Sequence, residues 1–568
     1  MATVLSAAPA VERPLAGVLF DHAETRPDVA AVFLPQESTV REITWREIAD
    51  DVSRMAVLLS RHGIQPGDRI VLWSDNRYEW IVADFAMQLL GAINVPLHDS
   101  LPAPAAAAQI AHSEPKLAII AKADLATDLQ QQAPGLLSAD AIEIVEATPA
   151  SPALLERLSQ FSIEEGRRLI EQRLASFDPE SIATILYSSG TSGEPKAVAL
   201  THANISSNAY AVIVGLAEPS SERRMNFLPF SHIYARTCDL YAWLVGGSQI
   251  VLAKSRDTVI ADCARTQPTL INGVPYFYQR VGQKIAEAEA AGASVTLPQL
   301  FGGNLRACIC GGAALPVATF DFYHQRGLLM LPGYGLTESS PVIAMSSPEE
   351  FRRGSVGRAI PGIEVRIADD GELLTRGPHV MKEYWKDAEL TQQTIRDGWL
   401  YTGDLGAIDA DGFISITGRK KELIALSTGK KAVPTHIEGV LSREPLIFQS
   451  MVVGDNQPYL AAVIVPDFDL LAKWAAAAGI AATEPADLIE APEVVELYCE
   501  RIRHQLESLP PYERVKRFRL LHEPFTVADG LLTPKLSLRR PMIQQKHQPG
   551  IAALYAGGGV TIDYCDRH

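Results

Sequence analysis

One ten-residue stretch, Tyr187 to Lys196, combines residue types that suit phosphate binding. It reads YSSGTSGEPK and offers two glycines, four serine and threonine hydroxyls and one lysine. Glycine lets the main chain approach a ligand closely and adopt positive φ. Hydroxyl and backbone N–H groups can then surround phosphate oxygens, and the lysine adds a positive charge. The cradle so predicted consists of Ser188, Ser189, Gly190, Thr191, Ser192 and Gly193, with Lys196 after it.

Composition alone does not separate this cradle from a surface turn, because turns use the same residue types. The spacing also differs from the common G-x-x-x-x-G-K-[ST] loop, since Lys196 does not directly follow the second glycine. The preceding residues favour a buried setting. The segment Ile182–Tyr187 (IATILY) is a short apolar run typical of a strand covered on both faces.

Further strand and helix patterns alternate along most of the chain, which predicts α/β layers. The predicted helices are Trp45–Arg61 and Glu79–Leu90, and the other predicted strands are Ala31–Leu34, Arg69–Trp73, Leu117–Ala121 and Gln249–Ala253. Two segments rich in Pro and Ala, Leu101–Ala108 and Glu146–Ala153, are predicted to be surface linkers.

The chain has 568 residues, more than a single hydrophobic core usually accommodates, which predicts at least two domains. The last 150 or so residues change character, with strand patterns at Val452–Val453 and Leu460–Val465 and a helix capped by Asp467. The basic run GRKK follows the strand pattern FISIT directly. We therefore predict a large N-terminal domain (1–418) with mixed sheets and packed helices, a small mobile α+β domain (419–568), and a hinge at 418–421.

The bulk composition excludes several classes of protein. Hydrophobic residues make up 47% and charged residues 21%, as in an ordinary globular chain. The formal net charge of −16 argues against nucleic acid as a main partner. We expect no signal peptide and no transmembrane segment. Among the six cysteines, Cys308 and Cys310 are expected on alternate faces of a strand, and all are expected to be reduced thiols of a cytoplasmic protein.

Several motifs together identify a family. The Tyr187–Lys196 stretch and the following AVALTHANI resemble the phosphate loop of the adenylate-forming superfamily, which includes acyl-CoA synthetases, luciferases and peptide-synthetase adenylation domains. Ala197 departs from the pattern, where glycine is common. Tyr334–Pro341 (YGLTESSP), Tyr401–Asp404 (YTGD) and Gly418–Ile424 (GRKKELI) resemble later signatures of the same superfamily, in the same order.

This resemblance implies ATP, Mg²⁺ and CoA as ligands and assigns roles to particular residues. Tyr334 would stack on adenine, Thr337 would hydrogen-bond the α-phosphate, and Glu338 would hold Mg²⁺ together with Thr191. Asp404 and Arg419 would bind ribose, since a carboxylate accepts from two hydroxyls at once. The remaining nucleotide contacts implied are Gly311, Gly312, Ala313, Gly335 and Ile416.

Other residues receive roles in the acyl and thiol steps. His232, in LPFSHIYART, would border the carboxylate substrate, although an isolated histidine is often structural. Lys421 would be the hinge residue about which the small domain rotates. Gly429, in STGKKAVP, would line the tunnel for the pantetheine arm of CoA.

The expected lysine near the C-terminus is displaced. Long-chain relatives carry a lysine that bridges the carboxylate and the α-phosphate, at the position of Ser537 in this chain. Lys535 stands two residues earlier. Residues two apart on a strand face the same side, so Lys535 is the predicted substitute. The competing interpretation is that adenylation lacks its lysine and is slow.

The resemblance is closest to long-chain fatty acyl-CoA synthetases, which implies activation of a fatty acid to acyl-AMP and transfer to CoA. The alternatives are delivery of the acyl group to an acyl carrier protein, a ligase for another carboxylic acid, and a non-catalytic nucleotide-binding protein. Peripheral contact with membranes is compatible with a fatty-acid substrate.

Overall fold

The computed structural model describes residues 11–189, 195–216, 220–290, 292, 296–526, 528–532 and 538–564. Residues 11–419 form three sheets. Their strands are β1 (Ala30–Pro35), β2 (Val40–Thr44), β3 (Arg69–Trp73), β4 (Ile93–Leu97), β5 (Leu117–Ile120), β6 (Ile142–Ile144), β7 (Ile182–Ser189), β8 (Pro195–Thr201), β9 (Arg223–Asn226), β10 (Gln249–Leu252), β11 (Leu270–Gly273), β12 (Ala307–Cys310), β13 (Leu329–Gly335), β14 (Val342–Met345), β15 (Arg358–Ala359), β16 (Glu364–Ile367), β17 (Glu372–Arg376), β18 (Glu383–Tyr384), β19 (Ile395–Arg396), β20 (Trp399–Ile408) and β21 (Ile414–Arg419).

Helices pack around these sheets. They are α1 (Val18–Thr25), α2 (Trp45–Arg61), α3 (Tyr78–Leu89), α4 (Ala103–Ser113), α5 (Ala123–Gln132), α6 (Leu154–Leu158), α7 (Ile163–Leu174), α8 (His202–Leu216), α9 (Ile233–Ala235), α10 (Ala242–Gly246), α11 (Val259–Thr266), α12 (Pro275–Ala290), α13 (Leu297–Leu300), α14 (Val317–Gln325) and α15 (Ala388–Thr394). A π-helical segment, Arg236–Tyr241, joins α9 to α10.

Two large sheets form the centre of this domain. One has seven strands in the order β18-β8-β7-β4-β3-β5-β6, and the other has nine in the order β15-β14-β13-β12-β11-β9-β10-β1-β2. Central strands such as β4 (INVPL) and β12 (ACIC) are buried along their whole length, because helices cover the faces. A third sheet of five strands runs β16-β17-β20-β19, with β21 added beside β20.

The C-terminal residues form a separate small domain with its own core. Its strands are β22 (Ile424–Ala425), β23 (Lys431–Ala432), β24 (Ile447–Val453), β25 (Leu460–Pro466), β26 (Val515–Leu520) and β27 (Val560–Thr561), and its helices are α16 (Pro434–Leu441), α17 (Phe468–Ala477), α18 (Pro485–Leu488), α19 (Pro492–Leu506), α20 (Arg540–Lys546) and α21 (Gln548–Tyr555). The buried cluster centred on Ile464, Tyr498 and Phe518 draws only on residues of this part. The predicted fold class, a large mixed α/β domain followed by an α+β domain, is confirmed.

Most of the predicted elements form within a residue or two of their expected limits. Asp467 caps α17 as predicted, and its carboxylate accepts a hydrogen bond from the N–H of Leu470 at 3.1 Å. The linker predicted at Leu101–Ala108 is wrong, because α4 begins at Ala103. Alanine is the strongest helix former, and proline is tolerated in the first turn of a helix, where Pro104 lies.

The expectation that Cys308 and Cys310 lie on alternate faces is also wrong. Both side chains are buried in one cluster with Tyr278 and Met330. Residues two apart in a strand share a face, so a single intervening residue places both thiols on the same side of β12. The five cysteines that the structure describes are free thiols, as expected.

Candidate active site

The ends of four neighbouring parallel strands bring distant motifs to one edge of the nine-stranded sheet. Strands β9, β11, β12 and β13 are parallel neighbours. Their carboxyl ends lead into the LPFSHI segment, Val274, the Gly311-Gly312 pair and the YGLTE turn. Ligands of open α/β sheets bind at such edges. The fold therefore brings the segments that carry the predicted substrate, adenine and metal residues to this one edge of the sheet, which we call the cleft.

The Gly311-Gly312 turn lies close to Tyr234 from the LPFSHIYART segment. The N–H of Gly311 donates to the carbonyl of Gly273 at 3.2 Å. A Cβ on Gly311 would lie 2.9 Å from Cζ of Tyr234, and Gly312 has a φ of +80°. Glycine is therefore favoured at 311 because a side chain would clash with Tyr234, and at 312 because φ is positive. Ala313, the next residue, is exposed.

His232 is the residue just before α9, two positions before the tyrosine that contacts the Gly311 turn. Its Nδ1 accepts a hydrogen bond from the N–H of Tyr234 at 3.1 Å, which fixes the ring at the N-terminus of the helix. The histidine thus has a structural contact. Its role beside the carboxylate substrate stays a prediction.

Tyr334, Asp404 and Arg419 meet although they are far apart in the sequence. The Tyr334 hydroxyl donates to Oδ2 of Asp404 at 2.7 Å. Nε of Arg419 lies 3.2 Å from Oδ1 of the same carboxylate, because β20 and β21 pair these two residues in register. Ile416 and Tyr334 pack against the same small apolar cluster around Ile343.

The Asp404 carboxylate is almost fully buried, with 2% of the residue exposed. Burial raises the pKa of Asp404 above its ordinary value, and the opposite charge of Arg419 and the Tyr334 hydroxyl act against that rise. Burial also raises the pKa of Tyr334, which keeps its hydroxyl protonated as a donor. The trio thus presents a carboxylate with two fixed neighbours at the edge of the cleft.

The YGLTE turn is rigidly supported. A Cβ on Gly335 would lie 1.7 Å from the carbonyl oxygen of Pro341, so only glycine fits there without a shift of the backbone. Thr337 and Glu338 form a short 3-10 turn. The side-chain amide of Asn208 donates to the carbonyls of Ser339 and Val342 at 3.3 and 2.8 Å. The turn is therefore anchored to α8 from behind.

Glu338 and Lys196 both contact one residue that the sequence analysis did not identify, Tyr384. The Tyr384 hydroxyl donates to Oε1 of Glu338 at 2.8 Å. Nζ of Lys196 lies 3.4 Å from the same hydroxyl and 4.8 Å from the centre of the ring. Burial lowers the pKa of Lys196, and nearby Lys421 lowers it further while Glu338 raises it. The predicted hinge lysine thus lies within electrostatic reach of this cluster.

The donor set around Glu338 fits a magnesium ion that is shared with a nucleotide. Among the residues that the structure describes, no group of three or more His, Cys, Asp or Glu side chains could hold a metal. Mg²⁺ in nucleotide enzymes is commonly held by one or two carboxylates and the phosphates themselves. Oε2 of Glu338 receives no hydrogen bond from the described residues, so it is free to be such a ligand.

The predicted phosphate loop joins two adjacent antiparallel strands. Ser188 pairs with Lys196 and Ser189 with Pro195, so the last residues of β7 lie beside the first residues of β8. The Ser188 hydroxyl donates to the carbonyl of Lys196 at 3.5 Å. Gly190, Thr191, Ser192 and Gly193 lie outside the described residues, as does the side chain of Ser189.

The predicted catalytic lysine also lies outside the described residues. Lys535 and Ser537 fall between Leu532 and Leu538, which are bridged as antiparallel neighbours. In the small domain, Lys421 and Gly429 are exposed. Gly429 has a φ of +81°, and a Cβ there would meet no atom within 4 Å.

The fold and the family matches below are those of an adenylate-forming enzyme. The chain belongs to the AMP-binding enzyme family, whose model matches residues 19–385, and the model of the AMP-binding enzyme C-terminal domain matches residues 421–558. The predicted membership of the adenylate-forming superfamily is thereby confirmed.

Two similar curated proteins span nearly the same length. The chain is 31% identical to the long-chain-fatty-acid–CoA ligase FadD15 of Mycobacterium bovis, with 95% of this chain and 97% of that protein covered. It is 28% identical to the peroxisomal long chain acyl-CoA synthetase 6 of Arabidopsis thaliana, with 94% and 84% covered.

Solved structures share the fold. ATP-bound MatB from Rhodopseudomonas palustris matches with a TM-score of 0.75 at 23% identity and covers 94% of this chain and 99% of its own. A fatty acyl CoA synthetase of Mycobacterium tuberculosis matches with a TM-score of 0.68 at 23% identity, with 95% and 100% covered. In the part of the chain that the structure describes, no helix is long and apolar enough to cross a membrane.

Proposed function

We propose that the protein is an ATP-dependent ligase that joins a long-chain fatty acid to CoA through an acyl-AMP intermediate. The observation that carries this proposal is the convergence of Tyr334, Asp404 and Arg419 with the Glu338–Tyr384–Lys196 cluster around one cleft. The curated relatives that carry long-chain acyl-CoA ligase names support the substrate class.

In the first half-reaction the fatty-acid carboxylate attacks the α-phosphorus of ATP, and pyrophosphate leaves. Tyr334, with Gly311 and Gly312 opposite, would hold the adenine, while Asp404 and Arg419 would hold the ribose. Lys196 and Thr337 would neutralise and orient the phosphates. Mg²⁺ bound at Glu338 would supply further charge neutralisation. Such reactions depend on positioning and electrostatic stabilisation and need no covalent enzyme intermediate.

The remaining groups act on the carboxylate and on the phosphate loop. His232 would border the carboxylate, and Lys535 would stabilise the charge that develops between carboxylate and α-phosphate. Ser188, Ser189, Gly190, Thr191, Ser192 and Gly193 would surround the β- and γ-phosphates, with Thr191 near the metal.

In the second half-reaction the thiol of CoA attacks the acyl carbon and AMP leaves. We propose that the small domain turns about Lys421 between the two steps. This rotation would withdraw Lys535 and bring the loop at Gly429 to the cleft, where glycine leaves room for the pantetheine arm. Acyl-AMP is hydrolysed by water, so a domain that covers the cleft protects it.

The acceptor and the cellular setting belong to the same proposal. An acyl carrier protein is the alternative acceptor. We propose a cytoplasmic enzyme with peripheral membrane contact, supported by the free thiols of the described cysteines and by the partitioning of fatty acids into bilayers.

The test is AMP formation by the purified protein with saturated acids from C2 to C20, with CoA present or absent. We expect AMP and acyl-CoA with long-chain acids only when CoA is present, and pyrophosphate exchange without it. Exchange with no acyl-CoA product would favour a carrier protein as acceptor. ATP binding with no pyrophosphate release for any acid would refute the proposal and leave a non-catalytic nucleotide-binding protein.

A further inference from the structure

The Tyr384 hydroxyl lies between two side chains that the proposed function assigns to the phosphates and the metal. It is 2.8 Å from Oε1 of Glu338 and 3.4 Å from Nζ of Lys196. Neither the phosphate loop nor the YGLTE turn contains this tyrosine, which lies 46 residues after Glu338 and 188 after Lys196. A single hydroxyl thus connects two separate motifs.

Strand pairing explains how Tyr384 reaches Lys196. In the antiparallel pair of β18 and β8, Tyr384 lies opposite Val198. Lys196 is two residues before Val198 and therefore on the same face, which makes it a diagonal neighbour of the tyrosine. The N–H of Trp385 donates to the carbonyl of Ala197 at 2.7 Å and extends the pairing. The contact therefore follows from the register of the sheet.

The segment before Tyr384 is also fixed to the Glu338 turn. The N–H of Met381 donates to the carbonyl of Glu338 at 2.9 Å. The Asn204 side-chain amide donates to the carbonyls of Pro378 and Val380, each at 2.8 Å. Residues 378–385 are thus joined both to β8 and to the turn, and Tyr384 itself is buried, with 3% exposed.

The direction of the hydrogen bonds sets the orientation of both partners. A tyrosine hydroxyl has one proton to donate and can accept from another group. It donates to the carboxylate and accepts from the ammonium, and burial raises the pKa of Tyr384 so that the proton stays in place. Lys196 and Glu338 thus each contact this one hydroxyl, at 3.4 and 2.8 Å. The hydroxyl therefore separates the two charges and leaves Oε2 of Glu338 open.

We propose that Tyr384 is a positioning residue for adenylate formation. Its hydroxyl fixes one oxygen of Glu338, so that the other would be left to bind the metal of MgATP, and it holds the Lys196 ammonium, which would neutralise the phosphates. The inference rests on the proposed function, because Glu338 and Lys196 receive their roles from it.

The substitution Tyr384→Phe removes only the hydroxyl. Loss of a hydrogen bond to a charged group weakens the dependent step by about tenfold or more. We expect the Mg²⁺ concentration that half-maximally promotes ATP binding, measured by calorimetry, to rise by about that factor. Pyrophosphate exchange should fall similarly. Thioester formation from supplied acyl-AMP should stay within about twofold, because neither pyrophosphate nor its metal takes part.

Tyr323→Phe is the matched control, since it removes another buried tyrosine hydroxyl, which donates to the carbonyl of Tyr278 at 3.0 Å. It should leave the Mg²⁺ dependence unchanged. Thioester formation by the same preparation of Tyr384→Phe measures the folded fraction, so partial unfolding lowers both half-reactions equally. An equal loss in both, or an unchanged Mg²⁺ dependence, would overturn the proposal.

A double-mutant cycle with Glu338→Gln tests whether the tyrosine acts through the carboxylate. We expect Tyr384→Phe to lower ATP affinity in the presence of Mg²⁺ far less in the Glu338→Gln background than in the wild type. Full additivity would refute the link. If the wild type exchanged no pyrophosphate with any acid, the proposed function would fail, whereas the binding titrations would still decide the role of Tyr384.

Discussion

Replacement of Asp404 by asparagine is the sharpest test of the nucleotide site. The change keeps the shape of the side chain and removes its charge. In the structure the carboxylate accepts from Tyr334 at 2.7 Å, lies 3.2 Å from Nε of Arg419 and is almost fully buried. Asparagine keeps one acceptor oxygen and replaces the other by a donor amide, so it cannot accept through two oxygens, and Arg419 loses its charged partner.

The expected magnitude follows from the kind of bond that is lost. A hydrogen bond to a charged group contributes about 1.5–3 kcal/mol. The loss of one such bond corresponds to roughly 10- to 150-fold weaker binding. The ribose stays bound in acyl-AMP, so we expect both half-reactions to fall. Glu338→Gln, in contrast, should impair only the half-reaction that involves pyrophosphate.

The assay is ATP and AMP binding by calorimetry, together with pyrophosphate exchange and thioester formation from supplied acyl-AMP. Asp411→Asn is the control, because Asp411 is an exposed acid in the turn between β20 and β21 and pairs with Arg352. It should bind ATP like the wild type. If Asp404→Asn bound ATP and AMP within about twofold of the wild type, the assignment of Asp404 to ribose would be wrong.

Three further predictions concern other parts of the chain. Lys535→Ala should nearly abolish pyrophosphate exchange and largely spare thioester formation from supplied acyl-AMP, and an equal loss in both would contradict its assignment. Arg540→Ala should lower the unfolding free energy of the small domain by about 3 kcal/mol in denaturant titrations, because it leaves the largely buried carboxylate of Glu438 and the half-buried one of Glu422 without their cation. A loss below about 1 kcal/mol would show that water screens them. Burial lowers the pKa of His202 from its ordinary 6.5 to about 4, so the unfolded chain binds this proton first as the pH falls, and stability should decrease by about 3 kcal/mol between pH 6.5 and 4. His202→Gln should remove that part of the pH dependence, and an unchanged slope would refute it.

Features that depend on contiguous residues could be predicted from the amino-acid sequence alone. The proposed phosphate loop would act on a ligand through its own glycines and hydroxyls, so this chemistry could be predicted from ten adjacent residues. Buried strands such as Ile182–Ser189 are visible because a strand covered on both faces must be apolar throughout. The Asp467 cap is visible because it bonds a backbone N–H three residues away.

Contacts between residues far apart in the sequence form only in the folded chain. Tyr384 contacts Lys196 because of the register in which β18 pairs with β8. A local sequence pattern does not predict a contact between residues 188 positions apart. Asp404 likewise acquires its burial and its Tyr334 partner from the approach of two sheets. Helix α4 forms where the content of proline and alanine suggested a linker. Alanine has a high helix propensity, and the proline lies in the first turn, where a helix tolerates it. Sequence thus specifies groups that act alone or with near neighbours, whereas the charge and orientation of the site arise from long-range packing.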